Sequence, residues 1–439
     1  MVNVPMEGEA IAKDAEKAME KYVADAASAV TIELVRSSDA LEKSDATFAF
    51  SPEFVHQHFG EQEKIVGYSG LSVRLLYAAS TLDLFLELKY DGCITEADKS
   101  ITPDDIRQKI ADELPEEVPI LSDAEQFRAC VSAARSFVPF GSKVHAYATE
   151  DGRQFEIYFV HESGDRFDAY LARMQSFALW FIDAANYTDP ADEKWTHFVL
   201  YEVCKTEEQE RVFYLAGYTS VYLNYAYPAN IRPRVAQILI LPPFRRGGHG
   251  VQLLQSVYNH FISDKLVVDI TAEEPSDNFV ALRDLVDCAN CASLPSFAPE
   301  KLRLGFADEM AAQARQLLKM PRRQSRRVYE ILRLKATSGT SGDEFKQYRL
   351  DVKRRLNARY KRDERDFGKL RKTLDEVELG ACRLTNEERM AALQTEFEQL
   401  LTQYRAVVNR IDTFGPPNPS FPVLHRSDHA TEQNGNGSG

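Results

Sequence analysis

Residues 235–284 read VAQILILPPFRRGGHGVQLLQSVYNHFISDKLVVDITAEEPSDNFVALRD, and this stretch decides the fold. Its apolar start, Val235–Leu241, predicts a buried strand. The two prolines that follow end the strand, because proline has no N–H to donate to a sheet. A glycine-rich turn, RRGGHG, comes next at residues 245–250. The sequence therefore predicts a strand that runs directly into a glycine turn.

A helix and a second strand complete the unit. Apolar residues at positions 253, 254, 257, 258, 261 and 262 share one face of the predicted helix. The apolar run Leu266–Ile270 predicts a second strand, which leads into Glu273-Glu274-Pro275. Strand, glycine turn, helix and strand in this order are typical of a phosphate-binding β–α–β unit.

The residues around this unit predict a domain over residues 142–300. The order strand, helix, three strands, helix, strand indicates an α+β domain with a mixed sheet and flanking helices. The elements predicted before residue 235 are the strand Gln154–His161, the helix Phe167–Asn186, and the strands Trp195–Lys205 and Arg211–Tyr227.

A mixed α/β N-terminal domain is predicted over residues 43–141. Its elements are a loop or short helix at Pro52–Phe59, strands at Leu71–Tyr77 and Leu82–Tyr90, and helices at Pro103–Leu114 and Ser122–Ser136. Residues 1–42 are rich in Ala, Glu and Lys with few large apolar groups, and they predict a marginal helical or disordered N-terminus.

The last third of the chain changes to charged, helical sequence. Residues 301–412 predict an α-helical C-terminal domain, with helical periodicity at Pro299–Leu318, Arg322–Ala336, Glu344–Leu374 and Asn386–Ile411. Residues 413–439 have the Pro, Gly, Ser and Asn content of a disordered tail.

Charge is divided unevenly along the 439 residues, whose net charge is −14. Residues 319–372 hold 19 Lys and Arg against 7 Asp and Glu, a net charge of +12, so the rest of the chain carries −26. An acidic body favours a basic partner and disfavours nucleic acid. The basic segment (322–335 and 346–372) indicates either a nucleic-acid or import function or a solvated helical face. Its dense i, i+4 charge pairs favour the solvated face, so we expect no direct nucleic-acid binding.

The cysteine content bears on the compartment. No apolar run approaches the ~18 residues that span a bilayer, and the start of the chain lacks the pattern of a secretory signal. The six cysteines are scattered, which is typical of a reducing compartment. We therefore expect a cytoplasmic and nuclear protein without a membrane partner.

The glycine turn has the pattern Arg245-x-x-Gly248-x-Gly250 at a helix start. Backbone N–H groups there can face an anion without an intervening Cβ, and the helix dipole adds partial positive charge. The spacing differs from the dinucleotide pattern GxGxxG and from the Walker pattern GxxxxGK[ST]. A plain strand–helix turn is the alternative for these six residues alone, but the apolar strand and helix on either side favour an anion site.

The R-x-x-G-x-G turn after a strand resembles the coenzyme A pyrophosphate loop of GCN5-related N-acetyltransferases. More specifically, QILILPPFRRGGHGVQLL and DITAEEPSDNFVALRD resemble the type B histone acetyltransferase catalytic subunit. So do MQSFALWFIDAANY, DEKWTHFVLYE, GYTSVY, YPANIRPRVAQ and RRVYEILRLK. These segments occur in order from about residue 48 to residue 411, so the resemblance covers most of the chain. It implies a central GCN5-related N-acetyltransferase fold.

The resemblance also implies roles for individual residues. Acetyl-CoA would be the co-substrate, and the backbone that contacts its acetyl and pantetheine part would be Ile238, Leu239 and Ile240. The pyrophosphate would be wrapped by Arg245, Arg246, Gly247, Gly248, His249, Gly250 and Val251, and Ser276 would meet the cofactor again. Glu273 matches the family's general base, with Glu274 and Asp183 as further acidic residues near the lysine. The histone tail would contact Glu61, Glu63 and Tyr222.

The chemistry of lysine acetylation independently calls for a base. Freeing the lone pair of a lysine near pH 7.4 costs roughly 4 kcal/mol, since the ammonium pKa is about 10.4. A carboxylate within hydrogen-bond reach can take that proton, and a strand N–H can stabilise the oxyanion that develops on the thioester. Glu273 and Glu274 are adjacent, so in an extended chain only one of them points into a cleft. The alternative for both is a solvated strand end before Pro275.

Two residues depart from the family pattern. Asp183 is shorter than the glutamate that the family commonly has, and it ends an apolar helical face, where an acid is often only at the solvent boundary. Tyr222 is followed by Leu-Asn-Tyr, where the family is often more polar. The aromatic residues from Tyr214 to Tyr227 otherwise favour sheet packing over a ligand cage.

Two further motifs favour structural readings. Cys288-x-x-Cys291 has zinc-knuckle spacing, but four ligands cannot be assembled nearby, so we expect no metal. His249 in the glycine turn could relay a proton, but we predict a polar surface residue there.

The sequence therefore predicts an acetyl-CoA-dependent histone acetyltransferase. It would act on lysines in the N-terminal tail of newly synthesised histone H4 through a direct ternary complex, together with a WD40 histone-binding regulatory subunit. The alternatives are another N-acetyltransferase, such as one for protein N-termini, or a catalytically silent histone-binding or chaperone subunit.

Overall fold

The computed structural model describes residues 19–38, 48–161, 164–337, 342–370 and 385–414. The chain forms two compact units that divide in sequence between Pro275 and Ser276. The domain boundaries predicted at residues 43, 142 and 301 stay predictions. The predicted N-terminal segment is described only from Met19 to Ser38. The predicted tail is described only at Thr413 and Phe414, which end a helix, and its other residues lie outside the described part.

The strands of the first unit are, in chain order, β1 (Val23–Asp25), β2 (Val30–Val35), β3 (Ala49–Phe50), β4 (Lys64–Val66), β5 (Tyr68–Ser69), β6 (Ser72–Ala78), β7 (Leu84–Lys89), β8 (Gly92–Cys93), β9 (Ile120–Leu121), β10 (Ser142–Ala148), β11 (Gln154–Val160), β12 (Trp195–Lys205), β13 (Arg211–Ala226), β14 (Asn230–Ile240) and β15 (Thr271–Ala272). Its helices are α1 (Ala26–Ala29), α2 (His56–Phe59), α3 (Ile94–Ala97), α4 (Ile106–Ala111), α5 (Ala124–Ser132), α6 (Asp165–Phe181) and α7 (His249–Ile262), with 3-10 turns at Ala133–Ser136 and Pro242–Phe244.

A six-stranded sheet in the order β10-β11-β12-β13-β14-β15 forms the centre of this unit. Its strands are antiparallel except for the last pair, in which β15 runs parallel to β14. The predicted strand Trp195–Lys205 is confirmed with the same bounds. The additional edge strand β10 was not predicted, because most of its side chains are exposed and the apolar residues at its alternate positions, Val144, Ala146 and Ala148, are small.

Helices cover both faces of this central sheet. α6 is buried along most of its length, and its Phe167 ring lies 5.6 Å from that of His197 on β12. On the opposite face, Phe261 of α7 lies 6.1 Å from Phe198, the next residue of β12. Because successive strand residues point to opposite faces, the two helices sandwich the sheet. The predicted α+β class with a mixed sheet and flanking helices is thereby confirmed.

A second sheet of five strands has the order β3-β2-β6-β7-β9. α6 also packs against it, because Tyr77 on β6 lies 4.3 Å from the ring of Phe177 and its hydroxyl is 3.1 Å from that of Ser176. Two short pairs, β1 with β4 and β5 with β8, complete the strand structure. The marginal helix predicted for residues 1–42 is wrong over the described β1 and β2. The buried sequence VTIELV of β2 is rich in β-branched residues, which suit a strand.

Two predicted elements near the glycine turn are wrong in their bounds. Leu266–Ile270 is not a strand. It makes one bridge, from Val267 to Ile231, and the strand is the pair Thr271–Ala272. Val267 and Ile270 are apolar because they are buried in a loop, not because they belong to a ladder. The predicted helix Phe167–Asn186 ends at Phe181, since Ile182 is already extended.

The second unit is helical. Its helices are α8 (Asp277–Ala292), α9 (Pro299–Leu304), α10 (Asp308–Leu318), α11 (Arg322–Thr337), α12 (Gly342–Leu370) and α13 (Asn386–Phe414), with a 3-10 turn at Pro295–Phe297. The single helix predicted over Pro299–Leu318 is two helices, because Gly305 ends the first with a φ of 111°.

Charged side chains lie inside this helical unit. Glu330 of α11 is fully buried, and its carboxylate binds Arg326 at 2.9 Å, Arg355 of α12 at 2.6 Å and the hydroxyl of Tyr404 of α13 at 2.9 Å. Arg333 is also buried and binds Asp351 at 3.0 Å. The prediction that the basic segment is a solvated face is therefore wrong for this part of α11, since these arginines neutralise internal acids.

No helix of the described residues is both long enough and apolar enough to cross a membrane.

Candidate active site

Strands β14 and β15 separate to form a cleft. β15 pairs with β14 only at Arg234 and Val235, and the N–H of Glu273 then donates to the carbonyl of Val235 at 2.9 Å. In the described part of the chain, β14 beyond Val235 is paired with β13 alone, up to Ile240. Where the two strands part, Ala236 is a bulge, because Val235 pairs with Val221 and Gln237 with Ser220.

The free edge of β14 carries the residues predicted to contact the acetyl and pantetheine groups. Ile238, Leu239 and Ile240 pair with Thr219, Tyr218 and Gly217 on one side only. In an antiparallel ladder, alternate residues turn their N–H and C=O groups away from the partner strand. The backbone groups of alternate residues among them therefore face away from β13, and the carbonyl of Ile240 already accepts from Nε of Arg245 at 3.0 Å.

The glycine turn follows the strand through the 3-10 turn that ends at Phe244. Arg246 has a φ of 67°, Gly248 has a φ of 80° and caps α7, and helix α7 begins at His249. Among the described residues, the N–H groups of Arg246, Gly247 and Gly248 have no backbone acceptor. Those of His249 and Gly250 have none because they lie in the first helical turn. The turn therefore offers a set of free N–H groups at a helix N-terminus, which suits a phosphate.

The side chain of Arg245 is directed toward the protein. Its Nε donates to the carbonyl of Ile240 at 3.0 Å, its terminal nitrogen pairs with Glu53, and its guanidinium lies 5.4 Å from the ring of Phe181. Arg245 therefore joins the glycine turn to the end of α6. A contact of Arg245 with the pyrophosphate would therefore be made by its backbone and not by its side chain.

The prediction that His249 is a surface residue is wrong. The residue is 3% exposed, and its ring lies 4.2 Å from that of Phe155. Burial, aided by the positive charge of Arg153, lowers the pKa of His249 to about 4. The apolar pattern of α7 does not reveal this, because the contacts come from distant strands.

Glu273 lies at the point where the two strands separate. Its side chain is 48% exposed, and its Oε1 is 3.2 Å from a terminal nitrogen of Arg234. Glu274 follows with a φ of 31°, so the chain leaves the extended conformation at the second glutamate. The two adjacent acids therefore differ in backbone conformation, since only Glu273 continues the extended chain of β15.

Tyr222 lies on the same face of the sheet as Glu273. It pairs with Arg234, which in turn pairs with Thr271, and direct cross-strand partners share a face. The hydroxyl of Tyr222 donates to Asp192 at 2.9 Å. The structure thus brings a predicted tail-binding residue and the predicted base onto one face.

Asp183 and Glu63 are brought together by a residue that the sequence did not single out. His56 of α2 lies with its Nε2 3.5 Å from Asp183 and its Nδ1 3.9 Å from Glu63. Asp183 is in the loop after α6 and its side chain is 71% exposed. Glu61 lies in the exposed turn before Glu63.

Gln237 connects this loop with β14. Its side-chain N–H donates to the carbonyl of Asn186 at 2.7 Å, and its Oε1 faces the amide of Gln175 at 3.4 Å and the hydroxyl of Tyr218 at 3.3 Å. Gln175 in turn binds Thr188 through both its donor and its acceptor. The signal in the sequence was a glutamine within the apolar run VAQILIL.

Two remaining predictions concern residues of the second unit. Ser276 caps α8, since its hydroxyl accepts from the N–H of Phe279 at 3.3 Å, and its cofactor contact stays a prediction. Cys288 and Cys291 are both buried, and burial raises the pKa of both thiols. Within the described ranges, no three His, Cys, Asp or Glu side chains are grouped to hold a metal ion.

The cleft, the free strand edge and the turn with free N–H groups are the arrangement expected of an acyltransferase. Residues 22–183 match the family model described as the N-terminus of histone acetyl transferase HAT1, and residues 283–334 match the one described as histone acetyltransferase type B catalytic subunit, C-terminal.

Curated proteins give the same family. The type B catalytic subunit of Mus musculus is 36% identical over 405 residues, which cover 90% of this chain and 96% of the mouse protein. That of Homo sapiens is 36% identical over 403 residues, which cover 90% of this chain and 95% of the human protein. That of Mycosarcoma maydis is 30% identical over 391 residues, covering 82% and 83%.

A crystal structure of an aminoglycoside acetyltransferase from an uncultured soil metagenomic sample, in complex with sisomicin, is 15% identical. It covers 29% of this chain and 82% of its own, with a TM-score of 0.22, which is too low to bear on the fold.

The chain belongs to the family of histone acetyltransferase type B catalytic subunits. It is an enzyme that transfers acetyl groups to histones, and the family implies acetyl-CoA as its co-substrate.

Proposed function

We propose that this enzyme acetylates lysines in the N-terminal tail of newly synthesised histone H4, with Glu273 as the general base of a direct ternary complex. The observation that supports this most is the position of Glu273. Its carboxylate lies at the mouth of the β14–β15 cleft, is held by Arg234, and shares a sheet face with Tyr222.

Two features of the cleft support the binding of acetyl-CoA in the orientation that the resemblance implies. The free backbone edge of residues 238–240 suits the amides of the pantetheine arm, and the free N–H groups of residues 246–250 suit the pyrophosphate. The bound co-substrate supplies the thioester carbonyl. A backbone N–H of β14 at the open edge would stabilise the oxyanion, as in other acyl transfers.

Glu273 would supply the proton acceptor. The lysine ammonium needs roughly 4 kcal/mol to lose its proton near neutral pH. The half-exposed carboxylate of Glu273 can accept that proton directly or through one water. Glu274 and Asp183 remain candidates for an assisting role, and neither contacts Arg234.

The acidic groups near the cleft suit a basic peptide. Glu61, Glu63 and Asp183 are exposed or half-exposed, and long-range attraction by such groups speeds the encounter with a positively charged chain. As part of this proposal, a WD40 histone-binding subunit would present the histone, and the enzyme would work in the cytoplasm and the nucleus.

Replacing the proposed base tests the mechanism. We expect Glu273→Gln to lower kcat on an H4 tail peptide about 100-fold or more at pH 7.5, since general-base catalysis contributes at least that much. Part of the loss should return at higher pH, where more lysine is already neutral. Affinity for CoA, measured by calorimetry, should not change.

Glu208→Gln is the matched control. Glu208 is an exposed glutamate paired with an exposed arginine, Arg135, at 3.4 Å, but it lies in the turn between β12 and β13. It should retain wild-type kcat. Full activity of Glu273→Gln would contradict the assignment of the base.

The alternatives give different outcomes in the same assay. Binding of the H4 peptide without transfer by the wild type would indicate a silent histone-binding subunit. Preference for a peptide with a free N-terminus and no lysine would indicate an N-terminal acetyltransferase.

A further inference from the structure

The first residue of α7, His249, supports the glycine turn from within. Its ring lies among Tyr147 of β10, Phe155 of β11 and Phe244 of the 3-10 turn, at centroid distances of 5.9, 4.2 and 6.4 Å. An imidazole in such a position is an unusual choice, because an apolar side chain would fill the same space without a polar group to satisfy.

Tyr147 is positioned to control where the imidazole proton is. The Tyr147 hydroxyl lies 2.6 Å from Nδ1 of His249 and has no other partner among the described residues. Burial raises the pKa of Tyr147, so the phenol keeps its proton. When that hydroxyl donates to Nδ1, the ring proton is on Nε2.

The Nε2–H group faces the glycine turn. A Cβ at Gly247 would lie 2.7 Å from Nε2, so the nitrogen reaches the turn where glycine has no side chain. Nε2 has no hydrogen-bond partner in the described part of the chain, and it is not among the unpartnered side-chain atoms that are sealed from solvent. Although the imidazole as a whole is buried, its Nε2–H is therefore an accessible donor beside the glycine turn.

We propose that the His249 Nε2–H binds a phosphate oxygen of coenzyme A, and that Tyr147 is the positioning residue that keeps the proton on Nε2. This assignment rests on the proposed acetyl-CoA site. It adds one side-chain donor to the backbone N–H groups of residues 246–250. The ring stays neutral at physiological pH, because burial lowers the pKa of His249 to about 4. The phosphate alone would carry the charge of this hydrogen bond.

Titration calorimetry with CoA tests the pair. We expect His249→Phe to weaken CoA binding about 10- to 100-fold, the range for a hydrogen bond to a charged group. Tyr147→Phe should weaken it about 3- to 10-fold, because the proton is then free to move to Nδ1. Pantetheine, which lacks the pyrophosphate, should bind all variants equally.

Two matched variants control for loss of a hydroxyl or an imidazole. Tyr158→Phe removes a hydroxyl from β11 that binds Glu156. His260→Phe removes an imidazole from the other end of α7, whose ring centroid lies 3.9 Å from that of Phe159. Both should bind CoA within about twofold of the wild type, and thermal melting checks the folding of all four variants.

Gly247→Ala should block the access of a ligand to Nε2 without changing the histidine. Its φ is not positive, so alanine suits the backbone, but the added Cβ would meet Nε2. We expect a loss of CoA affinity like that of His249→Phe. Gly164→Ala, whose Cβ would meet nothing within 4 Å, should bind normally.

In the wild type, a ¹⁵N spectrum of the histidines should show Nε2 of His249 protonated at pH 7 and shifted by CoA.

The outcomes separate this assignment from the proposed function. Wild type that binds CoA while His249→Phe and Gly247→Ala bind equally well would overturn the histidine donor alone. Protonation of Nδ1 instead of Nε2 would do the same. Wild type that does not bind CoA would overturn the proposed function and this assignment together.

Discussion

The two sides of the cleft are built in different ways. The proposed CoA side, residues 238–251, presents backbone groups that are fixed by buried side chains such as Phe244 and His249, which are 1% and 3% exposed. The proposed acceptor side consists of the carboxylates of Glu63, Asp183 and Glu273, whose side chains are 45%, 71% and 48% exposed.

This difference separates two tasks. A pyrophosphate is an invariant ligand, and a rigid set of N–H groups recognises it without reorganisation. A lysine side chain arrives on a flexible peptide, and exposed carboxylates can adapt to it at little cost. Substitutions on the CoA side should therefore affect stability and co-substrate affinity, and those on the acceptor side should affect turnover and peptide affinity.

The largest expected effect is on the CoA side. Phe244→Ala should lower the free energy of unfolding by about 3–5 kcal/mol, since it removes a buried ring. Phe244 also lies 5.8 Å from the guanidinium of Arg36 and 5.3 Å from that of Arg153. Urea unfolding measures the change. A loss under 1 kcal/mol would show that the turn is not supported in this way.

Acid should destabilise the first unit at several buried histidines. Burial lowers the pKa of His58 in α2 to about 3, that of His197 in the central sheet to about 3, and that of His249 in the glycine turn to about 4. A lowered pKa means that the unfolded chain binds protons first. The stabilisation that each neutral histidine contributes is therefore present above pH 6.5, and it is lost as the pH falls toward the lowered pKa of that histidine.

When the pH falls from 7.5 to 5.5, each of these histidines should lower the free energy of unfolding by about 1 kcal/mol. Urea unfolding of the wild type and of His58→Phe at both pH values measures one contribution. If the variant kept the full pH dependence, His58 would not be the group that titrates.

Gln237 should couple the two sides. Gln237→Leu removes its hydrogen bond to Asn186 in the loop of Asp183, and we expect kcat to fall about 10-fold, the upper range for one lost hydrogen bond. The KM for acetyl-CoA should not change, because the backbone of β14 remains. Gln154→Leu is the control, since Gln154 also donates to a loop carbonyl, that of Gly152, but at an exposed hairpin. Equal kcat for the two variants would rule out the coupling.

The smallest effect should come from an exposed acid. Asp183→Asn should raise the KM for the H4 peptide about two- to fivefold, since exposed ion pairs contribute no more than about 1 kcal/mol. The increase should disappear at high salt because the charges are then screened. An effect on kcat that salt does not remove would instead place Asp183 in proton transfer.

The sequence predicted the backbone elements of the proposed CoA side, but it predicted neither the burial of His249 nor the contacts of the proposed acceptor side. The strand, the turn and helix α7 follow from residues within one continuous stretch, so periodicity and glycine spacing predict them. His56, Gln237 and Arg234 become relevant only when distant segments meet. The single-residue bridge at Val267 shows the same limit, because apolar residues in a buried loop have the composition of a strand.

Glu330 in the helical unit has a consequence for how its helices are aligned. Its buried carboxylate takes partners from α12 and α13 as well as from its own helix. A slip of one helix by one turn, about 5.4 Å, would remove a partner and leave a buried charge that costs about 3–5 kcal/mol. Apolar contacts alone would tolerate such a slip more readily. One acidic residue therefore sets the register of three helices.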